Sequence, residues 1–244
     1  MDPILTVLLY SSLAAGVTAF GALPFLFQQR LPTVRIGWAN ALAAGMMLGA
    51  AYALLVAGMR DGAVLQEGAG AILGILFVYL THAALETEDL DLNRLEQTGP
   101  EYGYQVTLVN ALHSAAEGVA IGAAMIVSLP FGIFMALAIA VHNIPEATVL
   151  SAILTARGVR VRDAGGLAVA TKVSQVLLAI VTFAVVGAAP TVLPWVLGFA
   201  VGALIYLVMV ELLPESYRQA GSTTIALVTI VAMGMVVLLG QTGA

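Results

Sequence analysis

The sequence contains no cysteine, which excludes disulfides and thiolate metal ligands. Any metal would have to be held by His, Asp, Glu, Met or amide groups. Charge is almost as scarce: 9% of the 244 residues are Asp, Glu, Lys or Arg, against about 25% in an ordinary soluble domain. With 61% hydrophobic residues and a mean hydropathy of +1.01, the chain cannot cover a water-facing surface. It reads as an all-α polytopic membrane protein whose partner is the lipid bilayer, with no nucleic acid expected. The net charge of −5 says little, because the acids crowd into one loop. The N-terminus lacks both a basic region and a small-residue cleavage site, so its first apolar run is expected to be a retained helix, not a signal peptide.

What is present is a succession of apolar stretches, each of about 20 residues and so long enough to span a bilayer. They predict eight transmembrane helices, at about 4–27, 37–59, 69–85, 104–127, 131–155, 165–187, 195–213 and 223–240, forming one membrane domain over 1–244. The second is rich in small residues (Ala41, Ala43, Ala44, Gly45, Gly49, Ala50, Ala51), which let helix backbones approach closely in lipid. The long polar stretch is an acidic loop, 86–103, carrying Glu86, Glu88, Asp89, Asp91, Glu96 and Glu101. Ser128-Leu129-Pro130 is so short a turn that helices four and five must form an antiparallel hairpin. Loops on one side hold Arg30, Arg35, Arg94, Arg157, Arg160, Arg162 and Arg218, and the other side holds Arg60. Because basic residues stay cytoplasmic, both termini are expected outside and the acidic loop in the cytoplasm of a multi-pass protein of the cell's inner (plasma) membrane.

Polar residues inside these spans carry the functional signal. His113-Ser114-Ala115-Ala116-Glu117 and His142-Asn143-Ile144-Pro145-Glu146 repeat a His-x-x-x-Glu spacing on the two hairpin helices. Residues four apart project from one helix face. Imidazole plus carboxylate suits zinc, iron or manganese. Burying such groups in lipid costs about 2.5–3.5 kcal/mol per charge on insertion scales, and a bound cation would offset that cost. Pro145 withholds a donor from the carbonyl of Val141, one residue before His142, and kinks the helix.

The paired motifs resemble those of the ZIP (Zrt/Irt-like) family of divalent-metal transporters, bacterial type, and the likeness extends along the chain. The family's helix-four motif corresponds to His113-Ser114-Ala115-Ala116-Glu117-Gly118, and its helix-five motif to His142-Asn143-Ile144-Pro145-Glu146-Ala147. Ala41 to Leu48 is similar to its second helix, and Val210-Glu211-Leu212-Leu213-Pro214-Glu215 to its seventh. The resemblance implies eight helices, both ends outside, and metal entry into the cytoplasm through a site between helices four and five. The transported substrate would be Zn2+, or Fe2+, Mn2+ or Cd2+, with no enzyme cofactor. It implies His113, Glu117, His142 and Glu146 as ligands, with Met47 as a thioether candidate, and it suggests a homodimer.

The family's bacterial examples can hold two adjacent metals. The second would fall here on Ser114, Glu117, Asn143, Glu146 and Gln175, where Gln175 replaces an acid and Lys172 lies three residues away on the same face. Fewer anions and a nearby ammonium weaken a second dication, so one metal is expected. Ala147 replaces a Gly, and Val210 replaces a His, which leaves Glu211 and Glu215 as the relay on helix seven. His82 and Glu86 repeat the spacing once more at the end of helix three, as an exit waypoint. An intramembrane metalloprotease is the rival reading, but no His-Glu dipeptide, and so no His-Glu-x-x-His, exists in the chain. A metal-sensing membrane protein would need an output domain that these short loops do not provide.

Overall fold

The computed structural model describes residues 2–28, 30–59, 62–85 and 100–242, except the side chains of 85, 100–106, 241 and 242. Among them are eight helical spans long and apolar enough to cross a membrane, and no strand. They are α1 (Pro3–Leu26), α2 (Thr33–Met59), α3 (Val64–Ala84), α4 (Thr107–Val127), α5 (Leu129–Ala156), α6 (Val161–Ala188), α7 (Pro190–Ala220) and α8 (Ser222–Gly240). Several begin earlier or end later than apolarity alone predicts. Arg35, Arg162 and Arg218 lie on helical turns beyond the apolar stretch, where a helix continues into the polar interface. The helix containing α4 starts at Pro100, four residues before the expected Tyr104; proline suits a first helical turn because its missing N–H has no partner there anyway.

Glycine pairs set the packing. Gly70 and Gly74 of α3 face the backbone carbonyls of Trp195 and Phe199 on α7, while Gly198 and Gly202 of α7 face those of Glu67 and Ala71 on α3. A Cβ at any of the four would strike backbone, so the two helices interlock through reciprocal Gly-x-x-x-Gly motifs. Gly118 and Gly122 of α4 seat α6 in the same way, against Gln175 and Ala179, and Gly45 and Gly49 of α2 seat α8, against Thr229 and Val236. The methyl of Ala147 is received by Gly21 of α1. The glycine missing from the helix-five motif thus has its counterpart on the facing helix.

Three irregularities shape the interior. α1 tightens into a 3-10 helix over Thr18–Leu26. α6 breaks at Lys172, between Val161–Thr171 and Val173–Ala188. α7 widens into a π turn at Val208–Leu212, where the Leu213 N–H donates to the Val208 carbonyl. Pro214 has no N–H to give Val210, so the regular ladder cannot continue through that turn. Towards the loops opposite the arginine-rich ones, Leu54, Ile121, Ala124, Met135, Ile139 and Leu197 fill the bundle as a buried core.

Candidate metal centre

α4, α5 and α6 bring three charged side chains and an imidazole together in the middle of the bundle. Glu117, His142 and Glu146 each offer a ligand atom within 4.8 Å of the others. His142 Nε2 lies 3.2 Å from Glu117 Oε1. With the proton on Nε2 donated to that oxygen, Nδ1 carries the free lone pair, and it is buried without a hydrogen-bond partner. Lys172 Nζ donates to Glu117 Oε2 at 3.0 Å, to Glu117 Oε1 at 3.3 Å and to Glu146 Oε2 at 2.7 Å. The remaining oxygen, Glu146 Oε1, accepts from Asn110 Nδ2 at 2.6 Å, and Asn110 Oδ1 accepts from Thr171 Oγ1 at 2.7 Å. Each carboxylate oxygen therefore has a partner.

His113 belongs to a second group. Its Nε2 lies 3.1 Å from His82 Nε2, the rings stack with centroids 5.3 Å apart, and Glu211 Oε2 is 3.4 Å from His113 and 3.7 Å from His82. His82, His113 and Glu211 form the other three-ligand set within 4.8 Å among the described residues. His113 and Glu117 do share a helix face, one turn apart. That turn is enough to hand His113 to α3 and α7, while Glu117 faces α5 and α6.

Both groups open onto one cavity of about 420 Å³, lined among others by Met47, His82, His113, Glu117, Glu146 and Glu211. Glu215 and Arg218, paired with each other, line it too, at the end of α7 that carries Arg218, and Gln219 Nε2 also donates to Glu215 at 2.6 Å. Val210, in the place of the family's His, faces the same cavity. The other predicted residues bond elsewhere. Ser114 Oγ donates to the Asn110 carbonyl at 2.8 Å. Asn143 Nδ2 donates to Gln175 Oε1 and to the Ala14 carbonyl, both at 3.1 Å, and Gln175 Nε2 reaches the Ser11 carbonyl at 3.4 Å. The amides of Asn143 and Gln175 thus tie α5 and α6 to α1. Glu86 and the acidic residues to Glu96 lie outside the described residues.

Asn110 and Thr171 were not expected in the centre. The signal for Asn110 is present in the sequence: Asn110, His113, Ser114 and Glu117 run at i, i+3, i+4 and i+7, a continuous polar stripe on an apolar helix. Thr171 carries no such mark, since its position depends on the break beside it.

The family model described as ZIP Zinc transporter matches residues 81–241, about two thirds of the chain. The chain belongs to the ZIP family. It is 34% identical over 225 residues to a putative zinc transporter of Arabidopsis thaliana, an alignment covering 91% of this chain and 36% of that protein. It is 31% identical over 224 residues to zinc transporter GufA of Myxococcus xanthus, covering 86% and 88% of the two chains. With zinc transporter ZIP13 of Pongo abelii the identity is 31% over 162 residues, covering 65% and 49%. The chain accordingly spans little more than a third of the plant relative's length but most of the bacterial one's. Both three-ligand groups fall inside the segment matched to the ZIP family, and Met47 precedes it.

Proposed function

We propose that this chain carries divalent transition-metal ions across the membrane, zinc foremost, with iron, manganese and cadmium as further substrates. The carrying observation is the pair of imidazole–carboxylate groups, set within spans and sharing one cavity, with Glu117 and His142 fully buried. Glu117, His142 and Glu146 form the central station, which holds one metal at a time. His82, His113 and Glu211 form the next station, towards the arginine-rich face. The arginine distribution supports a cytoplasmic assignment for that face, and the reading takes flux from outside to cytoplasm across the inner (plasma) membrane.

Membership of a family whose relatives are named zinc transporters favours transport over the rival proteolytic reading, and over a sensor. Nitrogen and oxygen ligands without thiolate suit this range of metals, and zinc stands high among them in intrinsic affinity. Movement of α4 and α5, with α6 seated on α4, against the glycine-locked pairs α3–α7 and α2–α8 would turn the central station from one side to the other. A homodimer is part of this reading, on the family resemblance alone.

The decisive test is uptake of Zn2+, Cd2+, Mn2+ and Fe2+ into proteoliposomes by wild type, His142→Ala and His113→Ala. Expected outcomes are flux in wild type, none with His142→Ala, and slowed flux with equilibrium binding retained for His113→Ala. Absence of flux for all four metals, or undiminished flux in His142→Ala, would overturn the carrier reading.

A further inference from the structure

Lys172 is the one lysine in the chain, and it is completely buried. An ammonium has three N–H donors, and the three contacts of Lys172 Nζ all go to the two carboxylates of the central station, Glu117 and Glu146. Its backbone lies at the break of α6, where φ is −84° and ψ 0°, and its N–H turns to the Val169 carbonyl at 3.0 Å. This is a side chain built into a cation position on a segment where the helix is already interrupted.

We infer that Lys172 is a tethered resident cation, which the arriving metal must displace from Glu117 and Glu146 and which returns when the metal leaves. This rests on the transport reading above. A dication and an ammonium sharing the same two carboxylates repel strongly in a low-dielectric interior, so the centre holds one or the other. Glu117, Glu146 and Lys172 sum to −1, whereas the two carboxylates alone would sum to −2. A metal in place of the ammonium brings the pair to zero. Lys172 thereby covers the carboxylates while the carrier returns without cargo, a task otherwise left to protons or a second metal. Its return after release also competes with rebinding, which favours completion of the cycle. The break at Lys172 lets the side chain swing without unwinding an intact helix.

The test is Zn2+ titration by calorimetry, with thermal melting, of the purified full chain, as wild type, Lys172→Met and His142→Ala. Removing the competitor is expected to tighten Zn2+ binding about tenfold or more, since wild type spends most of its time in the ammonium-bound state. The metal-free melting temperature should fall, because two carboxylates are left facing one another. If His142→Ala abolishes binding while Lys172→Met binds Zn2+ no tighter than wild type, Lys172 is a structural brace and this inference fails alone. If His142→Ala binds Zn2+ like wild type, the central station itself is wrong and the inference falls with it. Should Lys172→Met not fold, wild type labelled with 13C at lysine Cε gives a single lysine signal. That signal should move as Zn2+ saturates the protein, and a signal unmoved at saturation overturns the displacement.

Discussion

Asn110 holds Glu146 by one oxygen and Thr171 by its own carbonyl oxygen, so it fixes the carboxylate of α5 to the broken segment of α6. A partner that orients a metal ligand typically contributes 10–100-fold in metal affinity. Asn110→Ala should therefore weaken Zn2+ binding by about 10–100-fold, with Asn110→Asp departing from it through its added charge. Calorimetric titration of the two variants checks this, and wild-type affinity in Asn110→Ala would deny Asn110 that role. The same residues show how far the chemistry could be read from the chain. Glu117, His142 and Glu146 come together as the repeated spacing suggests, because the hairpin turn forces α4 and α5 to be neighbours. The separate grouping of His113 was hidden. Helical periodicity gives a face, but which helix covers each turn of that face depends on packing between segments far apart in sequence.

At the scale of elements, the glycine motifs decide which helices can touch. Gly74 of α3 meets the Phe199 carbonyl of α7, and a methyl there has backbone, not a flexible side chain, in its way. Gly74→Ala should cost about 1–3 kcal/mol through overpacking, read as a lower melting temperature of the detergent-solubilised protein. Gly68, on the same helix, has no atom of a neighbouring element within 4 Å of where a methyl would stand, so Gly68→Ala should leave the melt unchanged or raise it. Equal melts for the two variants would contradict the interlocked packing. The Gly-x-x-x-Gly pattern stands in the sequence on α2, α3, α4 and α7 alike, yet the pairing of α3 with α7 is not written there. The π turn at Val208–Leu212 is half-legible, since Pro214 announces a defect in the ladder but not the wider turn that sets Glu211 beside His82 and His113.

The whole molecule is asymmetric along the membrane normal. One half opens as the cavity that reaches Glu215 and Arg218, and the other is closed by Leu54, Ile121, Ala124, Met135, Ile139 and Leu197. On the proposed orientation, which places the arginine-rich side in the cytoplasm, this would be the state that releases metal inward. Cysteine scanning needs no background removal here, because the chain has no cysteine of its own. Val210 lines the cavity and is 46% exposed, whereas Ala124 is wholly buried in the opposite half. Val210→Cys should therefore react with a membrane-impermeant maleimide in inside-out vesicles and stay unlabelled in intact cells, while Ala124→Cys should resist the reagent in both. Labelling of Val210→Cys from outside intact cells would reverse the orientation, and with it the direction of flux. Labelling of Ala124→Cys from outside would instead show that the closed half opens in the membrane. Repeated with saturating Zn2+, the two measurements follow alternating access, under which Val210→Cys should become less reactive and the closed half around Ala124→Cys more so as the population shifts.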